Sequence, residues 1–231
     1  MEQMIASEPS AANSKPSAAS LAESFRVFAR TLATIGESYG VLIRTYHSEE
    51  LPYFSKLSSI DQETAVTRLS QYVSICQDVV AGGGSLRSSR TFVWRALKEM
   101  GLLPDSDLFT RIEEDEIIEI YNLDHIQIFR NLPFFEYCSY TLEDLYARPW
   151  HQLFLRDEPG ITQKIISIVT ESAARVNRKM VVTHLGQQVT REVNSAGLFA
   201  LDLTVKSLGV LFDSDDRPQA FLAIEKAAFP R

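Results

Sequence analysis

At Ile117 the spacing of apolar residues changes from alternating threes and fours to twos, so the chain must build helices first and strands after. Upstream, Leu21, Phe25, Phe28, Leu32, Ile35, Tyr39, Leu42 and Tyr46 form the seam of a bundle or coiled-coil helix that stops before Pro52. Gly36 and Gly40 lie inside that seam, where each costs about 1 kcal/mol of helix propensity relative to Ala, which predicts close approach by another backbone. A second helix starts near Ser59, with a capping-box spacing to Gln62. It repeats the alternation through Val66, Leu69, Val73, Cys76 and Val80 and ends at Gly82-Gly83-Gly84. A third, Ser88 to Met100, shows Phe92, Ala96 and Met100 on one face and closes at Gly101. After the breaker Leu103-Pro104-Asp105, Asp105 or Ser106 starts a short helical turn, and the acidic run Glu113 to Glu116 reads as a solvated junction.

From Ile117 the pattern is different. Ile117 to Tyr121 is β-branched and aromatic, Asn122-Leu123-Asp124 is a turn, and Ile126 to Phe129 alternates until Pro133, which predicts a hairpin. Ser139 or Thr141 then caps a short helix whose positive end carries Glu143 and Asp144. Ile161 to Asn177 is an amphipathic helix with Ile165, Ile168, Val169 and Val176 near one face. Met180-Val181-Val182 begins a strand, Gly186-Gln187-Gln188 reads as a turn or irregular stretch, and Leu198 to Phe212 is a long strand. The polar turn Asp213 to Pro218 leads into the last strand, Gln219 to Glu225.

This order resembles a PAS domain over roughly residues 116–226. The residues that carry the resemblance are Asn131 after the second strand, Tyr140-Thr141-Leu142-Glu143-Asp144-Leu145 at the short helix, Arg148-Pro149, Arg156-Asp157-Glu158, and the late turn Asp213-Ser214-Asp215-Asp216-Arg217-Pro218. Ser139, Ala147 and Asp216 stand where the family usually has Gly. The expected fold class is therefore α+β: an α-helical region over 21–112, then a PAS-like five-stranded antiparallel sheet with flanking helices over 113–231. The first hundred residues resemble no family recognised here. Residues 1–20, rich in Ala, Ser, Pro and Asn, are expected to be a disordered tail.

Composition narrows the function classes. A net charge of -7 lacks the basic face that broad phosphate contact needs, so no nucleic acid is expected as partner. No stretch approaches the roughly 20 apolar residues of a membrane span, no secretory signal opens the chain, and Cys76 and Cys138 alone make no disulfide framework or thiolate zinc site. A cytoplasmic location is the expectation.

Residues that invite chemistry have plainer readings. His47, beside Glu49 and Glu50, is followed by Pro52-Tyr53-Phe54 and not by the Arg-Thr-Pro of histidine-kinase phosphoacceptor helices, which leaves an exposed histidine at a helix end. Gly82-Gly83-Gly84-Ser85 lacks the Gly-Lys-Ser/Thr of a phosphate loop and reads as a connector, with Arg87 and Arg90 on a solvated helix start. His125 falls in the hairpin turn. The helix Ile161 to Asn177 has no histidine to ligate haem, which argues against haem despite His151 and His184. Cys138 lacks the Asn-Cys-Arg-Phe-Leu-Gln context of flavin-adduct domains and reads as a buried thiol. The cofactor is left unassigned and no metal site is expected.

No catalytic signature is present, so a non-catalytic sensory or signalling module is expected. Its pocket candidates are Ile128, Phe129, Phe134, Tyr140, Leu145, Trp150, Leu201, Leu203 and Phe221. The seam Leu21, Phe25, Phe28, Leu32, Ile35, Tyr39, Leu42, Tyr46 is the interaction helix, through which a homodimer or a protein partner would form. Two alternatives stand: a protein–protein adaptor without a small-molecule ligand, and an enzyme on a PAS-like scaffold. The enzyme would show clustered carboxylates of shifted pKa or a histidine beside a carboxylate.

Overall fold

In the computed structural model, which describes residues 16–176, 179–194 and 197–229, the chain is α+β, with N-terminal helices followed by a curled antiparallel sheet and its flanking helices. Helix α1 (Ala18–Ser38) starts at the Ser17 cap, inside the segment expected to be a tail; residues 1–15 lie outside the described residues. It also ends earlier than its seam suggests. Gly40 takes φ of 70°, the Val41 N–H turns back to the Gly36 carbonyl at 2.9 Å, and the chain runs extended through Tyr46. Gly36 is required here: a Cβ would stand 2.8 Å from Ile43 and 2.9 Å from the Val41 carbonyl. Helix α2 (Ser59–Ala81) is capped by Ser58, one residue before the expected Ser59, while Gln62 turns inward to the Phe54 and Leu57 carbonyls. Helix α3 (Ser89–Glu99) and the turn α4 (Leu108–Arg111) complete this layer.

Strands β1 (Ile117–Asn122) and β2 (Gln127–Arg130) form the expected hairpin, followed by the short helices α5 (Leu132–Tyr137), α6 (Leu142–Ala147) and α7 (Trp150–Leu153). Next come β3 (Phe154–Arg156), α8 (Ile161–Ala174), β4 (Val181–Val182), β5 (Gln187–Asn194), β6 (Gly197–Phe212) and β7 (Pro218–Ala228). The sheet order is β2-β1-β7-β6-β5-β3, with β4 on β6. The five expected strands are β1, β2, β4, β6 and β7, with β4 only two residues long, and the three-residue β3 and the eight-residue β5 extend the sheet beyond them. The strand β5 was hidden in sequence because its residues, Gln-Gln-Val-Thr-Arg-Glu-Val-Asn, are mostly polar; the stretch read as irregular around Gly186 becomes strand at Gln187.

One contiguous core joins the two halves. Leu21, Phe25 and Leu32 of α1 share it with Leu69 of α2, Ile118 and Ile120 of β1, and Leu222 of β7. The seam is thus buried within its own chain, with Phe28, Ile35, Tyr39 and Tyr46 packed at its margin, whereas Leu42 is 62% exposed. Phe129 packs edge-on against Phe92 at 4.9 Å and Tyr72 at 5.5 Å, fixing α2 and α3 to one face of the hairpin. Asn131 closes the junction: its Oδ1 accepts from the Ile118 N–H at 2.9 Å, and its Nδ2 donates to the Glu116 carbonyl at 2.7 Å and Ser89 Oγ at 2.9 Å. Leu103 pairs with Phe212, a second tie between the helical layer and the sheet.

The acidic junction is not uniformly solvated. Glu116 is buried against Lys206, and Glu114 accepts from the Ser89 N–H, while Glu113 and Asp115 remain exposed. The segment 41–57 is a strap over α6. The Leu142 N–H donates to the Arg44 carbonyl at 2.8 Å, and Glu143 Oε1 accepts from the Tyr53 and Phe54 N–H groups. His47 therefore sits on this strap and not at a helix end, 2.8 Å from Asp144. No helix among the described residues is long and apolar enough to cross a membrane.

Candidate functional site

Strand alternation sends Ile118, Ile120, Leu222 and Ile224 into the core shared with α1–α3 and turns the intervening residues to the other face, under α5 and α7. Directly opposed residues of antiparallel strands share a face. Ile117 faces Glu225, Thr190 faces Leu201 and Arg156 faces Thr190 in register, and all five residues line one cavity. Glu119, Tyr121, Phe154, Glu192 and Leu203 continue the wall, and Phe134, Tyr137, Cys138 and Trp150 roof it. The void open to the centre of a water-sized sphere is about 30 Å³. Since a single water needs roughly 10–15 Å³, there is room for one or two waters or a comparably small group.

The chemistry of this wall is unusual for a protein interior. Glu119, Glu192 and Glu225 are all buried, and buried carboxylates are normally paired or neutralised. Burial is the largest cause raising the Glu119 carboxyl well above its ordinary range, and the nearby Glu225 charge adds to it. Burial raises Glu225 as well, opposed by Arg156. Burial therefore disfavours the charged form of both carboxyls. Glu119 also accepts a hydrogen bond from the Gln127 amide, whose Oε1 has no partner. Glu192, raised by burial, is partly compensated by the Ser139 N–H at 2.9 Å and the Ser139 hydroxyl. Arg156 donates to Thr190 Oγ1 at 3.2 Å and lies 5.6 Å from the Trp150 ring centroid. Burial, followed by the Glu192 charge, pushes the Cys138 thiol well up, so it stays protonated.

Of the pocket candidates, Phe134, Trp150, Leu201 and Leu203 line the cavity. The other five do not. Phe129 lies on the opposite face against α2 and α3, and Ile128, at the β1–β2 register shift, opens into a surface depression with Arg68 and Tyr146. Phe221 stacks on Tyr121 at 5.0 Å behind the wall, Leu145 is core, and Tyr140 bonds the Leu153 carbonyl while its ring rests on Phe154. The polar wall residues were not anticipated. Their signal was present in Ile118-Glu119-Ile120 and Ile224-Glu225, where a charge interrupts an apolar strand.

The other sequence candidates are placed away from the cavity. Trp150 Nε1 donates to His125 Nδ1 at 3.3 Å, and burial lowers the His125 pKa. His151 packs against both rings, with its Nδ1 unpartnered. Asp144, besides meeting His47, closes a capping box with Thr141 and accepts from Arg148 at 3.2 Å, so the histidine–carboxylate pair works as a clamp on α6. The triple glycine is a connector with Gly83 at φ of 74°, and Arg87 is tied to Glu136 at 2.6 Å and to the Tyr39 carbonyl.

No family model and no curated protein matches the chain. Among solved structures it is similar to the PAS domain of a protein from Colwellia psychrerythraea, at 17% identity over 51% of this chain and 89% of that one, with a TM-score of 0.35.

Proposed function

We propose that the chain is a sensory or signalling module: a PAS-like sheet over residues 116–226 receives a small molecule in the cavity, and the helical layer of residues 18–112 relays its presence to a protein partner or a second copy. The observation that carries this reading is the wall itself. Three glutamates, an arginine and a threonine point into an enclosed space that apolar side chains would fill at lower cost in desolvation. The ordering of elements and the motif residues Asn131, Thr141, Asp144 and Asp213 support the PAS-like assignment. Asn131 clamps β1 to α3, Thr141 and Asp144 form the capping box, and Asp213 Oδ1 accepts from the Asp215 and Arg217 N–H groups at 2.9 Å.

A route from cavity to helices is built in. Gln127 bonds Glu119, Arg130 Nη2 donates to the Gln127 carbonyl at 3.1 Å, and the Tyr72 hydroxyl of α2 donates to the Arg130 carbonyl at 2.5 Å. A ligand that changes the charge on Glu119 acts on this chain of contacts, and it shifts a population only through different affinity for two states. Native mass spectrometry of the purified full chain is the test. A retained mass that disappears in Leu203→Trp, where the cavity is filled, is expected. Absence of any retained mass, together with no thermal shift from a metabolite panel, would favour the adaptor.

The Glu119–Glu225 pair favours a second reading, an enzyme that moves a proton on a small substrate. Conversion of the retained molecule on incubation, lost in Glu225→Gln, would establish it.

A further inference from the structure

We infer that the ligand of this cavity is a small organic cation, a protonated amine or a guanidinium group on a short apolar stem; this deepens the proposed ligand-binding function and rests on it. Charge is the first ground. Carboxyl groups from β1, β5 and β7 line the space, and among the described residues the one cationic side chain lining it is Arg156 of β3. Arg156 donates from Nη1 to Thr190 Oγ1 and lies over the Trp150 ring, while its buried Nε has no partner. A bound cation stabilises the charged form of these buried carboxyls, which burial disfavours, whereas an anion leaves that cost uncompensated.

Hydrogen bonding is the second ground. Gln127, 2% exposed, stands opposite Tyr121 in register and so projects to the cavity face, where its amide nitrogen is taken by Glu119 and its Oε1 is left without a donor. Gln127 stands behind Glu119 and outside the lining, so its amide fixes the Glu119 carboxyl, and a group carrying several N–H donors pairs with the carboxyl oxygens that line the cavity. The third ground is the shape of the remaining wall. Tyr121 and Trp150 offer aromatic faces, which attract cations, and Leu201 and Leu203 offer an apolar surface for a short stem. The void of about 30 Å³ limits the group to a few non-hydrogen atoms.

Burial raises the Glu119 and Glu225 carboxyls that line the space, so occupation by a cation favours loss of a proton from them. The other titratable groups facing the space are Tyr121 of β1, Tyr137 of α5, Cys138 after it, and Glu192 of β5. Burial raises the Tyr121 and Cys138 groups, which stay neutral through neutrality. The released proton therefore comes from the glutamates.

Isothermal titration calorimetry of the full chain decides the matter, with methylammonium, guanidinium, acetate and isopropanol as probes in two buffers of different ionisation enthalpy. One or both cations are expected to bind with proton release and to bind more tightly as pH rises from the ordinary glutamate range. Glu119→Gln and Glu225→Gln, both close in shape to the native side chain, are expected to weaken them about tenfold each, the scale of a lost charge-assisted contact. Binding of acetate or isopropanol as tightly as the cations, or cation binding unaffected by either variant, would overturn the cationic assignment and leave a ligand site standing. Failure of both cations would overturn the assignment too. The ligand-binding function would fall with it only if the purified chain also carried no retained mass and no metabolite shifted its melting.

Discussion

The two faces of the sheet answer opposite demands. The face toward α1–α3 is closed with Ile118, Ile120, Phe129, Leu222 and Ile224, all apolar and all part of one core. The other face carries Glu119 and Glu225, one residue out of step along β1 and β7, and Thr190 and Glu192 of β5, around a void. Since both faces belong to the same backbone, the difference lies in side chains alone. Burial of apolar surface drives folding on the first face, while on the second the carboxylates must be neutralised or partnered before the chain closes over them. One face thus rests on apolar packing and the other on how its buried carboxyls are protonated or partnered.

Truncating the closed face is expected to have the largest effect. Phe129→Ala removes the ring that meets Tyr72 and Phe92 and is expected to cost about 3–5 kcal/mol in urea unfolding, as large-to-small changes of buried aromatics do. A loss below about 1 kcal/mol would show that α2 and α3 do not depend on this face. Next comes Asn131→Ala, which strands the Ile118 N–H and the Glu116 carbonyl where water cannot reach. It is expected to cost about 2–3 kcal/mol by the same measurement. Because Asn131 joins β1 to the start of α3, hydrogen exchange should rise in both elements together, and a rise confined to one would mean the clamp does not couple them.

Which of these features could be read from sequence follows from their physics. Periodicity located α2, α3, α8 and the hairpin because each buries one regular face, and Thr141 was visible because its capping role depends on short-range spacing, whereas Asn131, whose partners are distant in sequence, was picked out only by the resemblance to PAS domains. The end of α1 was obscured by Leu42 and Tyr46, which continue the seam in number but follow Gly40, where the backbone turns left-handed. Strand β5 was missed because a polar strand that faces a polar cavity loses its alternation. The cavity was half legible. Phe134, Trp150, Leu201 and Leu203 were named as large apolar side chains, but sequence could not distinguish the face of Phe129 from that of Glu119. That assignment comes from the pairing register, a long-range property.

Acidity is expected to act on the open face alone, with a smaller effect than either truncation. The Glu119 and Glu225 carboxyls have folded pKa values above those of the unfolded chain, so folding takes up protons there. Their contribution favours the folded state at low pH and is lost as pH rises from the unfolded glutamate value, about 4.3, through the raised folded values. The unfolding free energy of Glu119→Gln and Glu225→Gln should therefore fall less steeply than that of the native chain over this range. Parallel slopes in all three proteins would mean that the carboxylates titrate as exposed groups do.

The smallest effect tests whether the faces can be separated at all. The turn joining β6 to β7 places Asp216 at φ of 62°, a left-handed conformation that Gly adopts freely and Asp only at some cost. Strand β7 serves both faces, through Leu222 and Ile224 on one and Glu225 on the other. Asp216→Gly is expected to stabilise the chain by about 0.5–1 kcal/mol in urea unfolding, the strain relieved being partly offset by the greater freedom of Gly when unfolded. Since Asp216 is exposed and is not part of the cavity lining, the pH slope should not change. If it did change with the turn, backbone strain and cavity charge would be one cooperative property, and the division between a closed face that sets stability and an open face that sets its response would fail.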